Sequence, residues 1–165
     1  MLKIIATGPE SSGKTTLCKN ISEYFKISYS KEYAREYLKK IGANYVQEDL
    51  LKIAHQQLTS EQGSTLLDTD LITIKIWSIY KYGNCDEWIL EQIQKQKSED
   101  RFYLLCKPDI LWEKDPLREN PKNRTTIFRL YKKEIEKLNH KYHIVEGENR
   151  VRDAISKILT QNSII

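Results

Sequence analysis

The feature that most constrains the fold of this chain is the segment 8–15, whose residues GPESSGKT match the pattern G-x-x-x-x-G-K-[ST] in full. A short apolar segment, 2–7, comes directly before it, and apolar residues at helical spacing follow it. A strand, a glycine-containing loop and a helix in that order form a nest of backbone N–H groups that binds anions. The sequence therefore predicts a phosphate-binding loop, or P-loop, between a buried strand and an amphipathic helix.

The positions of the P-loop each have a physical reason. Gly8 and Gly13 permit backbone angles and a close approach that a Cβ atom would block. Lys14 can reach the β- and γ-phosphates of a nucleotide, and the Thr15 hydroxyl can ligate Mg²⁺. We therefore predict ATP and Mg²⁺ as cofactors. The residues assigned to nucleotide binding are Gly8, Glu10, Ser11, Ser12, Gly13, Lys14, Thr15 and Thr16.

Hydrophobic periodicity along the rest of the chain predicts strands that alternate with helices. Apolar runs predict strands near 2–7, 27–29, 65–67, 102–106 and 142–145. The segment 71–80 fits both periods, and we favour a helix because a parallel sheet needs a crossover there. The expected fold class is α/β, a P-loop kinase fold with a mainly parallel sheet of about five strands flanked by helices. A polar stretch with two prolines predicts a small exposed lid at 113–124.

Ligands of such folds collect at the carboxyl ends of the strands, so the residues that follow each strand are candidates. Asp68-Thr69-Asp70 ends the strand at 65–67. A carboxylate at that position can hold Mg²⁺ directly or through water, but an aspartate there can equally cap the next helix. We assign Asp68 to the metal together with Thr15, and leave Asp70 as a cap, a substrate ligand or a catalytic carboxylate.

Charged residues after the second predicted strand and in the lid are candidates for the acceptor side. Glu32 could accept a hydroxyl proton or bond a ribose diol, and Arg35 could hold an anion. The alternative interpretation is a solvated helix face. Arg118, followed by Arg124 and Arg129, could close over a transferring phosphoryl group, although a lid arginine is often only surface charge.

Composition narrows the remaining classes. The 165 residues with 39% hydrophobic content predict a single domain, 1–165, with its own core. No apolar run of about 18 residues is present, so no membrane partner is expected. Three scattered cysteines argue against a disulfide framework and for a cytoplasmic location. The net charge of +4 is mild and no nucleic-acid motif accompanies it, so no nucleic-acid partner is expected.

Several segments together resemble the kinase domain of the bacterial NadR-type ribosylnicotinamide kinases. The resemblance covers nearly the whole chain and rests on 8–17, 32–37, His55 with Gln57, 67–70, and Trp112 to Arg118. It implies a stand-alone kinase domain that phosphorylates nicotinamide riboside to the mononucleotide, a step of NAD salvage. The substrate-binding residues assigned on this basis are Glu32, Tyr33, Arg35, Gln57, Asp70, Trp112 and Asp115. The catalytic residues assigned are Lys14, Asp70, Glu32 and Arg118.

Two positions depart from the family's pattern. Lys31 and Leu58 stand where the family carries aromatic residues that could stack on the nicotinamide ring. The resemblance therefore favours the fold and the use of ATP more than it favours one acceptor. The alternative is a P-loop ATPase that acts as a nucleotide-dependent switch without a small-molecule acceptor. Neither the oligomeric state, the preference for ATP over GTP nor the identity of the catalytic base follows from the sequence.

Overall fold

Apolar strands alternate with amphipathic helices in the structure, as the hydrophobic pattern predicts. The computed structural model describes residues 1–42 and 44–161. In chain order the elements are β1 (Lys3–Thr7), α1 (Lys14–Phe25), β2 (Tyr29–Ser30), α2 (Tyr33–Ile41), α3 (Gln47–Ser60), β3 (Leu66–Asp68), α4 (Leu71–Tyr82), α5 (Glu87–Gln96), β4 (Arg101–Cys106), α6 (Arg124–Lys137), β5 (Lys141–Val145) and α7 (Arg150–Leu159).

The five strands form one parallel sheet in the order β2-β3-β1-β4-β5. The predicted α/β class and parallel sheet are confirmed, and the ambiguous segment 71–80 lies within a helix. The second strand is shorter and later than the predicted 27–29. It lies at the sheet edge and pairs with β3 through only two residues, because the chain turns directly into α2.

Helices cover both faces of the sheet because successive strand residues point to opposite sides. Ile4 and Ala6 pack in a core cluster with α1 and α7. Ile5, between them, packs in a larger cluster with residues of α2, α3, α4, α5 and α6. Both faces are therefore buried, which is why these strands read as nearly continuous apolar runs.

The connections that leave the carboxyl ends of the strands converge on one edge of the sheet. The P-loop joins β1 to α1, a short turn joins β3 to α4, and residues 107–123 follow β4 without a helix or strand. This long connection contains the predicted lid. Within the described part of the chain, no helix is both long and apolar enough to cross a membrane.

Candidate functional site

The P-loop adopts a conformation that only glycine supports at its two ends. Gly8 has φ 136° and Gly13 has φ 86°. A Cβ atom on Gly8 would lie 2.6 Å from the carbonyl oxygen of Cys106 on β4. The loop therefore packs directly against the neighbouring strand, and α1 begins at Lys14 with its N-terminus facing the loop.

The Lys14 ammonium folds back over the loop. Its Nζ donates to the carbonyl oxygens of Gly8 at 3.0 Å and Pro9 at 2.7 Å. The Ser12 hydroxyl also donates to the Pro9 oxygen, at 2.7 Å. The two Lys14 bonds hold its positive charge at the mouth of the nest of backbone N–H groups. A phosphate group bound in the nest can replace the two carbonyl oxygens as the partner of Lys14.

Thr15 and Asp68 come together as predicted. The Thr15 hydroxyl donates to Asp68 Oδ2 at 2.6 Å. Asp68 is 2% exposed, and its Oδ1 has no hydrogen-bond partner in the described residues. Burial, together with the nearby charge of Glu32, raises the pKa of the Asp68 carboxyl to about 6. A hydroxyl beside an unpartnered carboxylate oxygen is the oxygen donor set that fits Mg²⁺.

The side chains in the described part of the chain do not form a metal site by themselves. Within residues 1–42 and 44–161, no cluster of three His, Cys, Asp or Glu side chains forms a metal site of its own. Mg²⁺ is commonly bound by one or two protein groups plus substrate phosphates and water. The pair of Thr15 and Asp68 beside the P-loop suits that mode of binding.

Asp70 lies in a structural position and does not line the cleft. Its Oδ1 accepts from the backbone N–H of Ile72 at 3.1 Å, which caps α4. Its Oδ2 accepts from the Tyr103 hydroxyl at 2.6 Å and pairs with Arg101 at 3.1 Å. Both oxygens are thus engaged and Asp70 is fully buried. The sequence left three roles open for Asp70: a helix cap, a substrate ligand or a catalytic carboxylate. The observed contacts match the cap. The other two roles would require Asp70 to line the cleft, which it does not.

A cleft of about 460 Å³ opens between the P-loop and the helices on the larger core side. The P-loop from Pro9 to Thr16 forms its floor. Its wall away from the P-loop combines apolar and aromatic side chains with a few charged groups. That wall includes Glu32, the N-cap of α2, Arg35 of α2, Thr73, Trp77, Tyr80 and Lys81 of α4, Leu117, Arg118 and Glu119 of the lid, and Tyr131 of α6.

Glu32 and Arg35 both line the cleft, as predicted, but Arg35 is held in an ion pair and Glu32, among the described residues, is not. Arg35 Nη1 pairs with Asp115 Oδ2 of the lid at 2.8 Å. This bond raises the pKa of Arg35, and the Asp115 pKa is lowered, first by the backbone N–H of Leu117 and then by Arg35. Glu32 forms no ion pair within the described ranges, so its carboxylate is open to a ligand.

The lid is docked on the P-loop by side chains from both partners. The Glu10 carboxylate accepts from the backbone N–H groups of Glu119 at 3.2 Å and Asn120 at 3.0 Å. Burial by the lid raises the pKa of Glu10. Arg118 lines the cleft, donates to the Glu113 carbonyl at 2.6 Å and reaches the Ser11 hydroxyl at 3.5 Å. Glu10, which we predicted as a nucleotide-binding residue, thus lines the cleft and binds the lid.

Three further predicted substrate residues do not line the cleft: Tyr33, Gln57 and Trp112. Gln57 is 1% exposed, and its Oε1 accepts from the Tyr33 N–H at 2.9 Å, which positions the start of α2. Trp112 lies against two arginines, with its ring centroid 6.0 Å from Arg118 and 5.6 Å from Arg124. These residues support the cleft and do not form its lining.

The two departures from the family's pattern lie away from the cleft. Lys31 is exposed to solvent, and Leu58 packs against the larger core cluster. Aromatic surface in the cleft comes instead from Trp77, Tyr80 and Tyr131. The sequence analysis did not single these three out, because aromatic residues at helical spacing are indistinguishable from core packing in a single sequence.

Arg150 is a P-loop contact that the sequence analysis missed. Its Nη1 donates to the Ser12 carbonyl at 2.9 Å, and its Nη2 pairs with Asp109. Arg124 makes the matching contact to the Ser11 carbonyl at 2.9 Å. The last predicted helix begins at Arg150, far from the P-loop along the chain, so no local pattern connects the two.

Comparison with known proteins agrees with this geometry. A family model described as AAA domain matches residues 3–152. Cytidylate kinase from Desulfurococcus amylolyticus is 32% identical over 99 residues, a match that covers 56% of this chain and 50% of that protein.

Solved structures with the same fold include nucleoside-related enzymes. NadR protein in complex with NR superposes with a TM-score of 0.68 at 19% identity, over 99% of this chain and 53% of that one. NadR protein in complex with NAD and AMP-PNP gives 0.68 at 20% identity, over 94% and 48%. Deoxyadenosine kinase from M. mycoides with bound dCTP gives 0.53 at 16% identity, over 97% of both chains.

These comparisons confirm the predicted resemblance at the level of the fold. The chain has the P-loop NTPase fold of nucleoside and nucleotide kinases. It spans about half the length of the cytidylate kinase and of the two NadR structures.

Proposed function

The chain belongs to the AAA domain family, and from this premise we propose that it is a kinase that transfers the γ-phosphoryl group of ATP to a hydroxyl of a nucleoside, with nicotinamide riboside as the acceptor. The observation that carries the proposal is the cleft itself. Its floor is the P-loop from Pro9 to Thr16, and the opposite wall is aromatic with a carboxylate, Glu32, that is unpaired among the described residues. A docked lid closes over both.

The charges in the cleft favour a nucleoside over a nucleoside monophosphate. An acceptor phosphate needs arginine or lysine groups that are free to bind it. In this cleft Arg35 is paired with Asp115, and Lys81 is paired with Glu119 at 2.9 Å. Arg118 reaches towards the P-loop hydroxyl of Ser11. The carboxylate of Glu32 remains, and it would repel a phosphate. An uncharged or cationic acceptor suits this wall.

A cationic nicotinamide ring finds two kinds of complementary surface. Trp77 and Tyr80 offer aromatic faces, which attract cations. Glu32 offers a negative charge and a hydrogen-bond acceptor for a ribose hydroxyl. Glu32 and Arg35 both line the concave surface beside the P-loop, where a small acceptor has room to bind. Their position argues against a switch that lacks an acceptor.

The proposed roles follow from the positions of the side chains. Lys14 and the P-loop amides would bind the β- and γ-phosphates, and Thr15 and Asp68 would hold Mg²⁺, which would neutralise charge on the phosphate oxygens. The acceptor oxygen forms a bond to the γ-phosphorus, the bond from that phosphorus to the β-γ bridging oxygen breaks, and ADP leaves. Glu32 orients the attacking hydroxyl and takes its proton. Arg118 offsets the charge on the transferring group.

The test is ADP release with ATP and Mg²⁺ in the presence of nicotinamide riboside, ordinary ribo- and deoxyribonucleosides, or CMP. Nicotinamide riboside should give the highest kcat/KM. Lys14→Ala should lower turnover by about 100-fold or more, since it removes a phosphate contact in the transition state. Lys19→Ala, which replaces an exposed lysine on the same helix, is the matched control and should retain turnover.

The outcomes separate the alternatives. A folded Lys14→Ala protein with normal turnover would refute the assigned P-loop chemistry. Stimulation by CMP alone would favour a second candidate, a nucleoside monophosphate kinase, for which the 32% identity with cytidylate kinase is the motive. ATP binding without stimulation by any acceptor would point to the nucleotide-dependent switch.

A further inference from the structure

Tyr45 lies just before α3 and joins three side chains from separate parts of the molecule. Its hydroxyl accepts from Trp77 Nε1 at 2.7 Å and from Lys81 Nζ at 2.6 Å. It donates to Glu119 Oε2 at 2.8 Å. We refer to Tyr45, Trp77, Lys81 and Glu119 as the Tyr45 cluster. Tyr45 itself is 7% exposed.

The Tyr45 hydroxyl is used to its full capacity. A tyrosine hydroxyl has one proton to donate and two lone pairs to accept with, and the cluster occupies all three. Burial and the hydrogen bond to Glu119 raise the pKa of Tyr45, so the group stays protonated and remains the donor to the carboxylate. The ring adds further contacts, with its centroid 3.8 Å from Lys81 Nζ and 4.9 Å from the Trp77 ring.

The cluster reaches both sides of the cleft. Trp77 and Lys81 are four residues apart on one face of α4, and both line the acceptor wall. Glu119 belongs to the lid, and its own backbone N–H donates to the P-loop carboxylate of Glu10 at 3.2 Å. One lid residue therefore connects the acceptor wall to the nucleotide loop, with its side chain on the first and its backbone on the second.

We propose that Tyr45 is a positioning residue for the acceptor, which orients Trp77 and Lys81 in the cleft wall and anchors the closed lid through Glu119. Without the hydroxyl, the Trp77 N–H loses its partner in the described structure and the Glu119 carboxylate retains only Lys81. The acceptor wall then gains rotamer freedom, and the lid admits water more readily. The acceptor part rests on the proposed function, and the lid part rests on the contacts alone.

The experiment compares Tyr45→Phe with wild type and with Tyr142→Phe. Tyr142 also donates to a carboxylate, Glu136 at 2.6 Å, but lies outside the cleft and is the matched control. Tyr45→Phe should raise KM for nicotinamide riboside about tenfold, the worth of one hydrogen bond to a charged group, and change KM for ATP less than about twofold. The amount of ADP formed should exceed the amount of phosphorylated acceptor, because water that the loosened lid admits also accepts the phosphoryl group. Hydrogen exchange of residues 113–124 with AMP-PNP bound should become about tenfold faster, for the same loss of one hydrogen bond.

Equal kinetics and equal lid exchange in Tyr45→Phe and the control would overturn the proposal. So would equal increases in both KM values, which indicate general loosening of the fold. If Tyr45→Phe does not fold, Glu119→Gln tests the lid part by the same exchange measurement, because it removes from an exposed lid position the charge that faces Tyr45 and Lys81. If wild type phosphorylates no nucleoside, the proposed function has failed, and the exchange of the lid decides this inference by itself.

Discussion

Replacing Asp68 with asparagine should separate the stability of this protein from its activity. The Asp68 carboxyl is buried, and only one of its two oxygens is hydrogen-bonded within the described residues. A carboxylate in that position is destabilising until a cation binds it. The substituted amide keeps the shape of the side chain and an oxygen for the Thr15 hydroxyl but carries no charge. We therefore expect Asp68→Asn to be more stable than wild type without Mg²⁺ and nucleotide, and much less active with them.

The size of the effect follows from the pKa. The Asp68 pKa is about 6 in the folded protein against an ordinary value of 3.8. A difference of about two pH units corresponds to about 3 kcal/mol. Because the folded-state pKa is raised, the folded state binds the proton more tightly. The contribution of Asp68 to the stability of wild type is then least favourable above pH 6 and becomes more favourable as pH falls through about 6 towards about 4. After the cost of burying an amide, we expect Asp68→Asn to gain about 1–3 kcal/mol at a pH of about 7.5.

Urea denaturation at a pH of about 7.5 and of about 5, with and without Mg²⁺ and AMP-PNP, measures this gain. The control is Asp86→Asn, whose exposed side chain caps α5 by accepting from the Trp88 N–H at 2.9 Å. Asparagine caps a helix about as well, so this variant should match wild type at both pH values. Mg²⁺ with AMP-PNP should stabilise wild type more than Asp68→Asn, since binding to the folded state adds to stability. Turnover of Asp68→Asn should fall by about 100-fold or more.

Two results would refute the reasoning. If Asp68→Asn is less stable than wild type at the higher pH, the carboxylate is not under electrostatic strain in the free protein. If the gain is as large at the lower pH as at the higher one, it does not come from the charge. In either case the unpartnered oxygen of Asp68 would not mark a cation site.

Two further predictions concern the scaffold. Gly8→Ala should lower the unfolding free energy by about 1–3 kcal/mol and weaken ATP binding, because the new Cβ atom would lie 2.6 Å from a β4 carbonyl oxygen and the backbone φ is positive. Thermal melting measures the loss of stability, and an ATP titration measures the loss of binding. Arg101→Met should lower the unfolding free energy by about 3–5 kcal/mol, because the buried carboxylates of Glu61 and Asp70 lose the guanidinium that they share and, among the described residues, only Lys3, 3.5 Å from Glu61, remains as a cation. Lys107→Met, which breaks an exposed pair, should change urea stability little, and equal losses in these two variants would contradict this account.

The fold and the phosphate-binding loop could be predicted from the sequence. The P-loop pattern is local, and a strand before it and a helix after it are read from periodicity within a few residues. The pairing of Thr15 with Asp68 also follows from local signals, because the P-loop that leads to Thr15 leaves the carboxyl end of β1, and Asp68 ends the adjacent strand β3. The boundary of β2 was the exception, since an edge strand of two residues carries little pattern of its own.

The acceptor side depended on the tertiary structure. Arg35 binds Asp115 across 80 residues of sequence, and Asp70 turns away from the cleft because Arg101 and Tyr103 hold it in the core. Which charges remain free is decided by such pairings, and these depend on how distant loops close over the sheet. Periodicity and motifs specify what one segment becomes, so the sequence alone determined the fold and its nucleotide loop. The partners of each side chain, and with them the character of the acceptor pocket, were decided only when the chain had folded.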